Sequence, residues 1–457
     1  MRRKFKKAKR TSTSQYFDKF IHNLKTANTK KWFQQMKHFG GLNKINSGKL
    51  HIESLKNLTD QECAEKVAQH FASVSQEYEP VDRQKLPCFL PAEKPPQVNI
   101  FQVLEKIKQV KKTRSTLPVD LPDILRNECA IDLAEPMTDI VNSCLTQGTF
   151  PEFWRREWVT PVPKIAEPEN MSDLRKIAST SDYSKIFEKF LMEWVIEDMG
   201  DRLGFYQFAG NKGTGTEHMI VAFVDRIKYL LDKYPGAAVI ASGVDWSSAF
   251  DRVDPTRATL NLIKLGVRSS LIPIIIEFIT DRKMSVKFNQ AESRLYTLIG
   301  GGPQGSQIGQ NHYLATSFDN ASFANEDDQF KYCDDLEILD LVFIGNILQE
   351  YDFTRHVASD IGIDQVFLPP EKYQTQTNLN SVAKWTDENL MKINEKKSYY
   401  LIFTRAQKDF ATRLTINNKF LERLNVTKVL GVWIFEDGSW SKNTQEILKR
   451  DIPGSVS

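Results

Sequence analysis

Two pairs of adjacent aspartates, Asp327-Asp328 and Asp334-Asp335, stand close together in ANEDDQFKYCDDLEILDL. Neighbouring like charges repel, so each pair needs a reason. Asp327-Asp328 sits in NEDDQ among polar residues, which reads as a solvated loop where water screens both charges. Asp334-Asp335 instead interrupts strand-like sequence, between Tyr332-Cys333 and the alternating LEILDLVFI. Side chains on a strand point alternately to opposite faces. Both carboxylates therefore gather at one site only in a tight turn between two strands, with Asp334 at its mouth. Charge beside apolar strands is costly unless a cation compensates it.

A third carboxylate stands in GVDWSSAFDRVD. Asp245 ends an apolar run of strand length, and the small Ser247, Ser248 and Ala249 follow it. In open sheets with helices, ligands bind at the carboxyl ends of strands, which is where Asp245 falls. Carboxylates converging there favour hard cations with oxygen ligands, Mg²⁺ or Mn²⁺. Two such ions can clamp the attacking and leaving oxygens of an in-line phosphoryl displacement. The loop GGGPQGSQIG, Gly300–Gly309, adds glycines that let a backbone approach a flat or anionic ligand, and Gln304 adds an amide. By itself such a Gly-Pro loop is an ordinary turn.

The elements that must carry these residues follow from periodicity. Helical spacing marks DQECAEKVAQHFASV, NIFQVLEKIKQVKK, DLAEPMTDIVNSCL and TEHMIVAFVDRIKYLLDKY. Strands are expected at WVTPVPK, GAAVIASGVD, MSVKFN, SYYLIFTR and TKVLGVWIF. Strands interleaved with helices imply an α+β or α/β body. LPCFLPAEKPPQV cannot continue a helix and reads as a linker, so a boundary is expected near Gln97.

Composition narrows the class. At 457 residues the chain holds about three domains' worth of material. Its 41% hydrophobic content is that of a globular protein with large cores. The five cysteines show no metal-binding spacing, which disfavours a disulfide framework or zinc module and suits a reducing, intracellular compartment. The most apolar run, LIPIIIEFI, is half the length a bilayer requires, so no membrane partner is expected. Seven of the first ten residues, MRRKFKKAKR, are Lys or Arg, and without them the chain would be net acidic. That arm attracts phosphate or serves as a nuclear address, or is simply a solvated terminus.

In order along the chain, DWSSAFD, GGPQGS, YCDD, NEKKSYYLIF and LGVWI resemble motifs A to E of reverse transcriptases. FWRREWVTPVPK, DLRKIASTSDYSKIFEKFL, QFAGNKGTGTEH, HVASDIGID and KWTDENLMKINEKKS resemble segments of non-LTR (LINE-type) retrotransposon enzymes. The resemblance runs from about Val98 to Lys442. It implies an α+β right-hand polymerase, with fingers and a palm whose antiparallel sheet is flanked by helices. The expected division is a basic, mostly helical extension with its linker over 1–97, fingers and palm over 98–440, and the start of a truncated thumb over 441–457.

The resemblance also implies roles. Asp245, Asp334 and Asp335 would be the metal-site carboxylates for two Mg²⁺ ions, with Asp335 serving more to shape the field and the turn. Lys397 would donate a proton to departing pyrophosphate. Lys164 and Arg175 would meet the incoming triphosphate, the latter through its planar fork. Phe250 would block a 2′-hydroxyl and Gln304 would hold the nucleotide or template. Leu430, Gly431, Val432 and Trp433 would form part of the hairpin that grips the primer end. RNA template, DNA primer and dNTPs are the implied partners.

Some positions depart from the pattern. Lys176 stands where proline usually follows the motif 2 arginine, Gly302 where an apolar residue usually precedes PQG, and Gln310 where proline is common. Trp246 is bulkier than the usual Phe or Tyr. No endonuclease domain precedes the basic arm, and RDIPGSVS follows soon after motif E, so a truncated copy with its thumb largely missing is expected. Two classes of function result: an RNA-directed DNA polymerase, favoured by the intact aspartates, and a nucleic-acid-binding remnant without useful polymerisation, favoured by the short end. An intron maturase or telomerase-like polymerase is disfavoured by the LINE-type flanks.

Overall fold

This computed structural model describes residues 52–86, 93–110, 117–165, 167–204, 206–209, 213–320, 326–343, 366–367, 374–405 and 410–445. The basic arm, positions 87–92 of the proline-rich stretch, positions 210–212, HVASDIGID and the chain beyond 445 lie outside the described residues. The chain divides into two units, Met1–Asn57 with Pro163–Asp173, and Leu58–Val162 with Leu174–Ser457.

In the smaller unit, one 3₁₀ turn spans Glu53–Leu55 and another Met171–Asp173. Its second segment is a loop folded on itself. The Lys164 amide donates to the Asp173 carbonyl at 2.7 Å, and the amides of Glu169 and Asn170 donate to the Asp173 carboxylate at 3.1 and 2.9 Å.

The larger unit begins with α1 (Asp60–Ser75), α2 (Ile100–Gln109), α3 (Asp123–Glu128) and α4 (Ala130–Gln147). Local chemistry explains their ends. Thr59 with Glu62, and Asn99 with Gln102, form reciprocal caps that satisfy the first free amides of α1 and α2. At the far end of α4, Gly148 takes φ 64°. After β1 (Arg156–Pro163) and β2 (Leu174–Ser179) come α5 (Asp182–Met199), α6 (Thr216–Lys233), β3 (Ala238–Val244), α7 (Pro255–Lys264) and α8 (Ile272–Ile279). The apolar run LIPIIIEFI is thus a short core helix, and no described helix is long and apolar enough to cross a membrane. Next are β4 (Arg282–Phe288), β5 (Ala291–Glu292), β6 (Tyr296–Leu298), α9 (Gln307–Ser317), β7 (Gln329–Tyr332) and β8 (Asp335–Val342). The remainder is β9 (Val366–Phe367), α10 (Gln374–Glu388), β10 (Tyr399–Thr404), β11 (Phe410–Ala411), β12 (Thr415–Ile416), β13 (Lys419–Phe420), β14 (Glu422–Arg423), β15 (Val426–Val429) and β16 (Val432–Phe435).

Two five-stranded sheets organise this unit. One has the order β2-β1-β4-β5, with β6 also on β4, and β1 runs parallel to β4. Helix α1, from the stretch read as an N-terminal extension, lies against it. Gln61 donates to the Glu292 carbonyl at 3.0 Å, and Ser75 Oγ to the Gly300 carbonyl at 2.8 Å.

The other sheet has the order β14-β10-β3-β8-β7, with β3 antiparallel to both neighbours. Every residue of β3 is buried, because both faces are covered. Ala238, Ile240 and Val244 share a core with Tyr313 of α9 and with Leu379, Val382 and Trp385 of α10. Val239 and Ala241 share another with Met219, Phe223 and Ile227 of α6 and with Val429 and Ile434 of the β15–β16 hairpin. This double covering explains why AVIASGV is apolar at all but Ser242 and Gly243 instead of alternating.

Candidate active site

The register of the β3-centred sheet brings the three aspartates to one end. Val244, the last residue of β3, pairs with Leu336 of β8, so Asp245 and Asp335 come next at the same end of neighbouring strands. Tyr332 of β7 pairs with Asp335, which leaves Cys333 and Asp334 as a two-residue hairpin loop, with Cys333 at φ 54°. The turn expected from the adjacent charges is present, and Asp334 is in it.

Asp245 is held by its backbone. Its amide donates to Ser398 Oγ at 3.1 Å, and its carbonyl accepts from the Asn394 amide at 2.8 Å. Ser247 N bonds to the Lys392 carbonyl at 2.7 Å, so NEKKS runs alongside the turn after β3. This contact delivers Lys397, whose ammonium stands 3.9 Å from the Asp245 carboxylate.

The aspartates feel one another. Burial raises the Asp334 carboxyl, against the opposing pull of its own backbone amide and of the Arg175 and Lys397 charges. Burial, then the charges of Asp334 and Asp245, push Asp335 up to about 6. Part of the Asp335 side chain is open to solvent, which screens some of that push, but the direction holds. Burial first, then all three carboxylates and Cys333, raise the Tyr313 hydroxyl well above its ordinary value. Among the described residues no group of three or more His, Cys, Asp or Glu side chains has metal-holding geometry, so the aspartates share a field and not a closed cage. The donor set still suits a hard divalent cation: carboxylate oxygens at a strand end, where burial and mutual repulsion both disfavour the charge.

Phe250 lies in a 3₁₀ turn, Ala249–Arg252, after Asp245. Its half-buried ring packs at 5.0 Å on that of Tyr313. Gln304 donates its amide to Asp251 at 3.3 Å, and its carbonyl accepts from Ala178 N at 3.1 Å. The glycines of this loop were expected to let backbone approach a ligand. They serve close contact with the protein itself. A Cβ on Gly301 (φ 79°) would stand 2.8 Å from the Asp251 backbone, and one on Gly305 (φ 126°) 2.8 Å from the Ala178 carbonyl.

No family model matches the chain. Over 189 residues, 40% of its length, the chain is 25% identical to a probable RNA-directed DNA polymerase from transposon X-element of Drosophila melanogaster. It spans about a fifth of that relative, 20% of its length. The similarity supports a distant relationship to a transposon reverse transcriptase.

Other residues expected at a reverse-transcriptase site are distributed unevenly. Arg175 is exposed on β2, and its charge reaches Asp334. Lys164 belongs to the smaller unit, where its ammonium donates to the Ser172 carbonyl at 2.7 Å. Leu430 and Gly431 form the loop of the β15–β16 hairpin, both with positive φ (46° and 89°), as a type I′ turn requires. Trp433 carries the ammonium groups of Lys428 and Lys442 at 5.5 and 3.3 Å from its ring centre. Thr427 of this hairpin bonds the Tyr399 side chain, whose hydroxyl donates to Glu337 of β8. The hairpin is thereby tied to the strand that starts at Asp335.

The first aspartate pair differs from its expected form. It lies in a 3₁₀ turn, Glu326–Asp328, but Asp328 is half-buried and accepts from Arg226 Nε at 2.7 Å, while Asp327 accepts from Tyr206 at 3.2 Å. An ion pair to α6, and not water alone, offsets its charge. Sequence reasoning passed over Tyr313, Asp251, Ser398 and Glu188. Glu188 is wholly buried on α5 and caps α9, accepting from Ser306 Oγ and from the Gln307 amide at 3.0 Å.

Proposed function

We propose that this chain is an RNA-directed DNA polymerase that extends a primer 3′ end with deoxynucleotides. One observation carries the reading. Asp245 at the end of β3 adjoins Asp334 and Asp335 at the β7–β8 turn, and Lys397 stands 3.9 Å from Asp245.

In the reaction, the primer 3′ hydroxyl releases its proton to solvent and its oxygen forms a bond to the α-phosphorus as the bond to pyrophosphate breaks. Asp245 and Asp334 would hold Mg²⁺, with Mn²⁺ as a substitute, and such cations supply charge compensation to the attacking and leaving oxygens. Arg175 binds the triphosphate oxygens with its fork. Lys397 hands a proton to the departing pyrophosphate, its ammonium being held near the site by Asp245. Phe250, backed by Tyr313, excludes a 2′-hydroxyl. Gln304 orients the nucleotide or template, and the hairpin from Leu430 to Trp433 steadies the primer. The β3-centred sheet acts as palm and the β1–β4 sheet as fingers. Template and primer are gripped mainly through phosphates, so affinity falls as salt rises.

Primer extension on poly(rA)·oligo(dT) with the purified chain tests this. dTTP incorporation at low salt that disappears in Asp245→Asn is the expected result. No extension by the unmodified chain with either Mg²⁺ or Mn²⁺ would overturn the reading.

A further inference from the structure

Strand β2 alternates buried and exposed residues, so Arg175 and Lys176 face opposite ways. Arg175 is exposed, whereas Lys176 is only 3% exposed. A desolvated ammonium needs compensation, and Lys176 has two partners: Asp251 at 3.3 Å and Glu157 at 3.7 Å. Glu157 is itself buried and pairs with the buried Arg282 of β4. Arg282 donates in turn to the carbonyls of Gly300 and Gly301 at 2.9 and 2.8 Å.

These groups form a closed circuit. From the glycine loop it passes through Arg282, Glu157, Lys176 and Asp251, and returns to the same loop at Gln304. Two positive and two negative charges balance within it. Asp251 directly follows Phe250, whose carbonyl accepts from Gly302 N at 2.7 Å. Gln304 is thus bonded to the carboxylate of the residue next to Phe250 in the chain, and Phe250 itself is bonded by its backbone to the same glycine loop. Lys176 sets where that carboxylate sits.

Stability alone is a weak reason for such a circuit. Replacing a buried ion pair by apolar residues of similar volume is often neutral or stabilising. What apolar packing cannot do is fix the direction of the Asp251 carboxylate, and with it the Gln304 amide.

We infer that Lys176 is a positioning residue that, through Asp251, sets the spacing between Phe250 and Gln304 and so tunes selection of deoxynucleotides over ribonucleotides. The inference rests on the polymerase reading above. It gives the departure at position 176 a function: where the pattern has proline, this chain ties its fingers sheet to the nucleotide site by charge.

The experiment compares the unmodified chain with Lys176→Met, Lys176→Arg and the double variant Lys176→Met/Asp251→Asn. The double variant removes the ammonium and its carboxylate together, so it buries no new uncompensated charge at Asp251. Folding is checked by urea unfolding, and the ratio of kcat/KM for dTTP to that for UTP is measured on poly(rA)·oligo(dT). Lys176→Met and the double variant should lower the ratio by about tenfold, and Lys176→Arg should hold it within about threefold, the scale of one misdirected hydrogen bond. An unchanged ratio in either folded Met variant overturns the inference and leaves the polymerase reading standing. Failure of both Met variants to fold assigns Lys176 to stability alone and overturns it too. No extension by the unmodified chain overturns the polymerase reading and this inference with it.

Discussion

The ring of Phe250 lies 5.0 Å from the ring of Tyr313, tilted by 30°, and Tyr313 is 1% exposed. Phe250 lies on a one-turn 3₁₀ segment and packs at the edge of the core that contains Tyr313. Tyr313, anchored in α9, supplies the wall behind it.

Shortening Phe250 to Val should therefore open the sugar site. The ratio of kcat/KM for ribonucleotide to deoxynucleotide should rise by on the order of tenfold or more. Tyr313→Phe keeps the stack and removes a buried hydroxyl that has no hydrogen-bond partner among the described residues, so folding should be unharmed. Tyr313→Ala removes the wall and should cost about 3–5 kcal/mol in unfolding free energy, as large core truncations do. A ratio unmoved by Phe250→Val would make Phe250 a core residue and place the gate elsewhere.

The two aspartate pairs make a contrast that one assay can read. Asp245→Asn and Asp334→Asn should each abolish primer extension while thermal unfolding stays cooperative. Asp327→Asn should leave both properties almost unchanged. Asp328→Asn breaks a half-buried pair with Arg226, so it should lower stability by about 1 kcal/mol without touching the reaction. Equal loss of extension at both pairs would mean that their separation into chemistry and structure is mistaken.

What could be read from sequence depended on whether the signal was local. The turn at Asp334 was legible because a chain can accommodate adjacent charges amid strand residues in few other ways. Asp245 was legible because AVIASGV is apolar at every position but two. By contrast, α9 reads as polar, QIGQNHYLATS, yet Asn311, His312, Tyr313 and Thr316 are all buried in it. No periodic pattern marks a helix covered on every side, so Tyr313 gave no signal. A lysine on a strand reads as solvated, and the partners that bury Lys176 come from β1 and from the segment after β3. The partner of Asp328 is likewise on α6, far away in sequence. Residues whose environment is made by distant elements are the ones sequence reasoning missed.

Glu188 tests how the glycine loop is held. Its carboxylate accepts from Ser184 Oγ at 2.8 Å and, on the other oxygen, from Ser306 Oγ and Gln307 N. It thus ties α5 to the start of α9, immediately after Gln304. Glu188→Ala strips a partner from two buried hydroxyls and from the part-buried Gln307 amide, and should cost on the order of 3 kcal/mol, read from urea unfolding. Glu188→Gln keeps the volume but turns one acceptor into a donor, and should lose less. Both variants falling within experimental error of the unmodified chain would show that the cap carries no weight.

Asp340 supplies a pH dependence away from the reacting groups. It lies on β8 and accepts from Asn378 Nδ2 at 2.6 Å. Burial, opposed by its bonds to Thr375 and Asn378, pushes its carboxyl up from 3.8 to about 7. A folded-state pKa above the unfolded one means that the native state binds the proton more tightly. Its contribution to stability is then fully present below about pH 4 and is lost as pH rises through about 7. Asp340→Asn removes the titration while keeping the shape and an acceptor for Asn378. The variant should therefore gain on the unmodified chain between pH 4 and 8 by roughly 4 kcal/mol at most, the full value of a shift of about three units. Urea unfolding of both proteins across that range measures the difference directly. A gap that stays constant with pH, or that widens toward acid, would mean that Asp340 is charged in the folded protein and that its neighbours compensate it fully.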